Sequence, residues 1–169
     1  MQAQVRQART AGPGEVLVFM VGGVRCAVPL DEVREVVRAV AITPLPTAPP
    51  IVEGIIDVRG RLVPVLDLRG RLGLPAAPLR AEQKLVIADA GERRVAVRVD
   101  AVDWVTQLDG EDVAEPDRVV RGIGYLAGVA RLPDGLVLVH DLAAFLEQGE
   151  EEALTAALAA YLDHAEDES

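Results

Sequence analysis

Gly54–Leu68 reads GIIDVRGRLVPVLDL, and the fold of the whole chain follows from this stretch. Two apolar runs, Ile55-Ile56 and Leu62–Leu68, flank Asp57-Val58-Arg59-Gly60. A glycine between β-branched runs marks a hairpin, so the pattern predicts a strand, a tight turn carrying Arg59 at its tip, and a longer strand returning. The returning strand is almost continuously apolar instead of alternating, as expected of a strand covered on both faces. Pro64 lies inside it and has no N–H to give a ladder, which places it at an edge or a bulge.

The pattern recurs at Gly128–Leu142, GVARLPDGLVLVHDL, where Gly128, Leu136-Val137, Val139 and Asp141-Leu142 fall on Gly54, Leu62-Val63, Val65 and Asp67-Leu68. The segment upstream repeats as well. FMVGGVRCAVPLDEVREVV (Phe19–Val37) lies over ADAGERRVAVRVDAVDWVT (Ala88–Thr106), matching Gly22 with Gly91, Asp31 with Asp100, Val33 with Val102 and Val36 with Val105. The offsets are 69 and 74 residues, in the same order. Two copies of one β-rich unit are expected, each too small to bury a good core alone and therefore packed together.

Around these copies the remaining elements fall into place. Met1–Gly14 is polar and reads as a flexible lead; Glu15–Met20 and Arg25–Leu30 read as strands turning at Val21-Gly22-Gly23. Asp31 is expected to cap a short helical turn over Glu32–Glu35, with Asp100 repeating the cap. Thr43–Pro50 holds four prolines and serves as an extended connection. Arg69–Arg80 is a loop between the copies, Lys84–Asp89 and Arg93–Val99 form the second hairpin, and Val102–Leu108 is strand-like with the sole tryptophan, Trp104. Asp109–Gly124 reads as a loop. In the tail, Leu154, Ala157, Leu158, Tyr161 and Leu162 share one helical face within Ala153–His164, with Glu150-Glu151-Glu152 favourably placed at the positive end of the helix dipole. The divisions expected are a lead over 1–14, a domain over 15–147 whose two β-barrel subdomains cover about 15–80 and 81–147, and an acidic tail over 148–169.

Composition narrows the chemistry. With 169 residues and 50% hydrophobic side chains the chain can bury a sizeable core. No apolar run approaches the roughly twenty residues a membrane helix needs, and MQAQVRQART is no signal core. The single cysteine, Cys26, fits a reducing compartment. The net charge of −10 is concentrated in the tail: from Glu147 to Glu168 there are eight acidic residues and no lysine or arginine, leaving 17 basic against 19 acidic in the body. No basic face with interleaved aromatics is present, so nucleic acid is not an expected partner.

The inventory also argues against an enzyme. The only serine is Ser169 and there is no asparagine, which removes the usual hydroxyl nucleophile and amide oxyanion donors. Cys26, in an alternating strand, reads as a small buried hydrophobe. His140 reads as a surface or structurally satisfied histidine, His164 belongs to the tail, and together with Cys26 they give no metal-ligand spacing. The repeated carboxylates Asp31/Asp100 and Asp67/Asp141 are accounted for by turns and caps, and Gly122-Ile123-Gly124 lacks the lysine and hydroxyl of a phosphate loop. Recognition remains. By spacing alone Arg59 is a solvated turn residue and Glu35 a solvated strand residue, although arginine is enriched at interface hot spots.

Taken in order, FMVGGVRCAVPLDEVREVV, ITPLP, GIIDVRGRLVPVLDLRGRLGL, VAVRVDAVDWV and LAGVARLPDGLVLVHDL resemble the CheW-like domain of bacterial chemotaxis proteins, over about Glu15–Glu147. The resemblance implies a mainly β fold, two intertwined five-stranded SH3-like β-barrels with short helical turns and a C-terminal helix. It also implies a cytoplasmic adaptor without catalysis, cofactor or metal, attached to membrane receptor arrays only through protein contacts. Such adaptors link the cytoplasmic tip of a chemoreceptor to the regulatory domain of the histidine kinase CheA. Carried over at matching positions, the partner-binding candidates are Arg59 first and Glu35 second, with Val33, Val36 and Gly54. Where the family often has Asn-Leu-Arg-Gly, this chain has Asp57-Val58-Arg59-Gly60, so Asp57 is expected to alter the turn or to pair with an arginine. Two other readings compete: an adaptor of a non-flagellar chemosensory system, and a small enzyme or ligand-binding barrel using Cys26 or His140. A module fused to a kinase or receiver domain is disfavoured by the methionine start and the acidic tail.

Overall fold

A computed structural model describes residues 14–109, 113–114, 126–146 and 148–168. The expected lead as far as residue 13 and most of the Asp109–Gly124 loop lie outside the described residues, and Gly14 opens the first strand. Strands β1 (Gly14–Val21) and β2 (Val24–Pro29) form the first hairpin; β3 (Val33–Arg38), β4 (Val52–Val58) and β5 (Arg61–Leu66) complete the first copy. The second copy supplies β6 (Lys84–Ala90), β7 (Arg93–Val99), β8 (Ala101–Leu108), β10 (Leu126–Leu132) and β11 (Gly135–His140), with the two-residue β9 (Val113–Ala114) before β10. Helix α1 spans Gln148–Glu168.

The copies exchange their hairpins. One sheet, barrel I, runs β8-β1-β2-β11-β10-β9, and the other, barrel II, runs β3-β6-β7-β5-β4. Barrel I thus takes its first hairpin from the first copy and its remaining strands from the second; barrel II does the reverse. Residues 15–80 and 81–147 each contribute to both barrels, so the boundary near residue 80 divides the sequence and not the barrels. The correspondence extends to details. The parallel contact β5·β7 (Val65↔Ala96) matches β11·β2 (Val139↔Ala27). Barrel II is closed by the bridge Thr43↔Ile55, and barrel I at the equivalent place by β9, where Ala114 pairs with Val129. That short strand falls in the stretch read from sequence as a loop, because two residues are too few to leave a periodic signal.

Exchange explains the apolar strands. Val16, Val18 and Ala27 face the interior of barrel I, while Leu17, Phe19, Cys26 and Val28 face a central core shared by the two barrels. In barrel II, Leu85 and Ile87 point inward with Val63, Val65 and Ala96, while Val86, Ala88, Val95 and Val97 meet the central core. Strands β1, β2, β6 and β7 therefore alternate between two cores, and period-two geometry gives their central positions an apolar residue on both faces.

Two glycine and proline positions are fixed by close approach. A Cβ on Gly54 would lie 2.2 Å from the Thr43 carbonyl oxygen and 2.8 Å from Ile42 Cγ2. Only glycine lets the proline-bearing connection cross β4 and exchange the hydrogen bonds Thr43 N–H to Ile55 O (3.0 Å) and Ile55 N–H to Thr43 O (2.8 Å). Ile55 thus turns its polar groups away from its β5 partner Pro64. The missing proline donor then faces the β7 side, where pairing is confined to Val65 and Leu66, and the expected edge-like setting is met locally.

Three local expectations are corrected. The helical turn is a 3-10 turn at Leu30–Glu32 whose N-cap is Pro29 with no side-chain cap, and Glu32–Glu35 does not continue it, since β3 begins at Val33. Asp31 lies inside that turn and cannot cap it. Asp100 caps no helix either; it sits between β7 and β8, and its carboxylate accepts from the Gly22 N–H at 2.6 Å. Asp141 does accept from the Ala143 N–H at 3.1 Å, beside the 3-10 turn Leu142–Ala144, and Asp67 from the Arg69 N–H at 3.0 Å.

Helix α1 is docked and longer than Ala153–His164. Leu154 and Ala157 are buried in the central core with Leu158 and Tyr161 against it, whereas Leu162 is 49% exposed. The acidic first turn meets the body: Glu150 pairs with Arg71, and Glu151 with Arg93 at 2.7 Å.

Candidate functional site

The β4–β5 connection has two residues, Arg59 and Gly60, both with positive φ (51° and 84°), the geometry of a type I′ hairpin turn. Asp57 Oδ1 accepts the Gly60 N–H at 2.7 Å. Asp57 therefore accepts the backbone N–H that an asparagine oxygen would accept at this position, and the departure from the family pattern leaves the turn intact. The turn lifts Arg59 off the barrel: its side chain is 79% exposed, and its guanidinium lies 2.9 Å from Glu35 Oε2.

Glu35 comes from β3, the opposite edge of the same sheet order. Its side chain is 26% exposed, and its second oxygen, Oε1, is buried. The pair thus joins the two edges of barrel II at its end. An exposed pair of this kind adds at most about 1 kcal/mol to folding, so the guanidinium is held in place without being committed.

The five candidates do not form one cluster. Along β3, Val33, Glu35 and Val37 are half-buried while Arg34, Val36 and Arg38 are exposed, so Val36 looks out from the face opposite Glu35. Val33 packs against the central core, and Gly54 is buried beneath Thr43. Alternation thus sets Val36 apart from Glu35 and Arg59, and Val33 is separated from them by its packing on the core.

Two arrangements escaped sequence reasoning. On barrel I the Arg25 guanidinium lies 5.0 Å from the Trp104 ring centroid and pairs with Asp134 at 2.9 Å. Trp104 is the repeat partner of Glu35, and Asp134 lies in the turn equivalent to the one that carries Arg59. A repeat alignment could have pointed there, but Arg25 itself belongs to the other copy. On β7 of barrel II, the buried Arg98 bonds both oxygens of Glu53 and donates to the Ala77 carbonyl at 2.9 Å and to Gln83 Oε1 at 3.2 Å. Gln83 in turn donates to Asp100, which also accepts from Arg69 at 2.7 Å. Burial pushes the Glu53 carboxyl upward, further than Arg98 draws it down. Burial also works to raise Asp100, but the Gly22 amide, Gln83 and Arg69 outweigh it and hold the carboxyl below its usual range. These bonds fasten the irregular 67–83 connection to both barrels.

Neither candidate for chemistry is placed to perform it. Burial pushes the Cys26 thiol up to about 12 and the His140 imidazole down to about 3, so each is held in its neutral form away from solvent. Among the described residues no group of His, Cys, Asp and Glu could hold a metal ion, and no helix is long and apolar enough to cross a membrane.

The described residues thus form a duplicated barrel pair with charged side chains facing solvent, Arg59 with Glu35 on one barrel and Arg25 with Asp134 on the other. The CheW-like domain family model matches residues 15–150, and the chain belongs to that family. It is 28% identical over 146 residues to the chemotaxis protein CheW of Rhizobium meliloti, covering 85% of this chain and 94% of the relative. It is 33% identical over 102 residues to the protein FrzA of Myxococcus xanthus, covering 60% and 64%. The crystal structure of the scaffolding protein TtCheW from Thermoanaerobacter tengcongensis superposes with a TM-score of 0.74 at 27% identity, over 82% of this chain and 95% of that one. The fold and these likenesses make the chain an adaptor of the chemotaxis coupling type.

Proposed function

We propose that this adaptor joins the cytoplasmic tip of a chemoreceptor to the regulatory domain of a CheA-type histidine kinase, and that Arg59 with Glu35 is a contact point. The observation that carries the proposal is Arg59 itself. A left-handed backbone costs a non-glycine residue roughly 1–2 kcal/mol, and the turn would form more easily with asparagine or glycine at this position. The arginine gives the fold little in return, since its side chain is 79% exposed and its one ion pair lies at the surface. Strain kept where the fold does not need it points to use of the side chain outside the fold. The partner would bring an acidic group to exchange with, or add to, Glu35. A scaffold of this kind changes kinase output only if its contacts differ between receptor states, and weak contacts become firm when repeated in an array. It acts on the cytoplasmic side, by protein contacts and without catalysis.

The test is a binding titration of wild type and Arg59→Ala against a receptor tip and a CheA regulatory domain from the same organism. The expected loss is about 1–3 kcal/mol of affinity for at least one partner, with an unchanged circular dichroism spectrum and melting point. Wild-type affinity for both partners in a folded Arg59→Ala protein would remove Arg59 from the interface. A second reading keeps the adaptor but places it in a non-flagellar chemosensory system, which the similarity to FrzA favours; the receptor set recovered by co-purification decides between them.

A further inference from the structure

A chain of hydrogen bonds runs from β4 of barrel II to the first turn of barrel I. It starts at Glu53, whose carboxylate takes the Nε edge of the Arg98 guanidinium at 2.8 and 3.0 Å. At the opposite corner Arg98 Nη1 donates to Gln83 Oε1 at 3.2 Å and to the Pro78 carbonyl at 3.3 Å. The Gln83 amide then donates to Asp100 Oδ1 at 2.8 Å, and Asp100 Oδ2 accepts the Gly22 N–H at 2.6 Å. Gln83 is buried, and its amide has one workable direction, with oxygen toward the guanidinium and nitrogen toward the carboxylate.

Arg98 also serves a second carboxylate. Its Nη2 donates to Glu53 Oε1 and, at 3.4 Å, to Asp67 Oδ2. The Arg98 side chain is 5% exposed and the two acids 19% each. Charged groups thus face Glu53 from two elements, Arg98 on β7 and Asp67 just past β5, while in the connection beyond them Arg69 turns its guanidinium to Asp100. Fully ionised, the cluster sets two negative charges against one positive charge, and a single proton shared by the carboxyls removes the excess. Holding Arg98 needs only one carboxylate, because Gln83 and the Ala77 and Pro78 carbonyls take its other donors. A second buried acid costs the fold stability; what it adds is a group that can change charge.

We propose that Glu53, Asp67 and Arg98 form a proton-operated joint between the barrels, in which loss of the shared proton draws Arg98 toward the two carboxylates and slackens the Gln83–Asp100–Gly22 chain. The Nη1 bonds give way first, since they lie on the far side of the guanidinium and are 3.2 Å or longer. Burial favours the protonated state by pushing the Glu53 carboxyl up, against the pull of Arg98. At one end of the joint, β4 runs into the turn that carries Arg59; at the other is the turn of the β1–β2 hairpin. A proton bound in one barrel is thus felt at the hairpin of the other. This goes beyond the adaptor reading and does not rest on it.

Nuclear magnetic resonance of the full chain, titrated from about pH 4 to about pH 8, tests the joint. The Glu53 carboxyl carbon should titrate above 4.5, and the Gly22 amide should shift with the same midpoint. Asp100, held below 3.8, gives its own step at lower pH. Glu53→Gln keeps an acceptor for Arg98 without the charge and should remove the step from Gly22. Its urea midpoint should rise above that of wild type as pH climbs from 4.5 through the Glu53 midpoint, because in that window folded wild type holds a proton that its unfolded chain has released. Gln83→Met, similar in length but without the amide, should leave Glu53 titrating and uncouple Gly22 from it. A Glu53 midpoint at or below 4.5, a Gly22 amide that does not follow it, or a Gly22 step that survives Glu53→Gln or Gln83→Met would each overturn the joint.

Discussion

Gly54 is the residue at which a contact role and a structural role can be told apart most cleanly, through Gly54→Ala. The added Cβ would stand 2.2 Å from the Thr43 carbonyl oxygen, a backbone atom that cannot swing aside. Either β4 or the 42–43 segment must move, and both hydrogen bonds of the Thr43–Ile55 bridge depend on that approach. Losing two such bonds removes about 1–3 kcal/mol at roughly 0.5–1.5 each, and forcing a methyl into a packed site adds about 1–3 kcal/mol. The expected loss is about 2–6 kcal/mol, a large part of the roughly 5–15 kcal/mol available to a domain. Urea unfolding followed by circular dichroism reads the loss directly. Hydrogen exchange locates it, with protection of the Thr43 and Ile55 amides falling before that of the β6–β7 ladder. If Gly54→Ala binds partners poorly while its stability stays within about 0.5 kcal/mol of wild type and both amides stay protected, the steric argument is wrong and Gly54 is a contact residue.

Three other outcomes follow from burial. His140 is completely buried and neutral, with its pKa pushed down to about 3 from 6.5; the unfolded chain therefore binds the proton first. Its contribution to stability should be fully present above pH 6.5 and fall by about 1.4 kcal/mol per pH unit toward pH 3. His140→Leu should flatten that part of the urea-midpoint profile. Leu154→Ala should cost about 2–5 kcal/mol, whereas Leu162→Ala, on the side of the same helix left in water, should stay within about 0.5 kcal/mol; thermal unfolding of the pair checks this. Cys26, buried and with its thiol pushed up to about 12, should react with a disulfide reagent only as fast as the protein unfolds, and rapid labelling under native conditions would contradict that.

The sequence by itself determined the duplication, the β class and the hairpin with Arg59 at its tip. All of these follow from local pattern: repeat spacing, apolar runs, turn glycines and the residue types present. It also showed that the returning strand is covered on both faces, without showing by what. The tertiary structure decided the rest. A repeat states that two units are alike but not whose hairpin completes whose barrel, because strand exchange leaves the linear pattern unchanged. The two-sided burial of β1, β5, β6 and β7 arises from that exchange, which places these strands between their own barrel interior and the shared core. Glu35 and Arg59 meet because barrel closure brings together strands 24 residues apart in sequence, and Val36 turns away because β3 is a strand and not the helical turn its acidic lead favours. Leu162 shared a helical face with Leu154 on paper, but docking covers only as much of a helix as the body beneath it reaches. Local periodicity tells which side chains can share a surface; which of them are covered is settled by what packs against that surface.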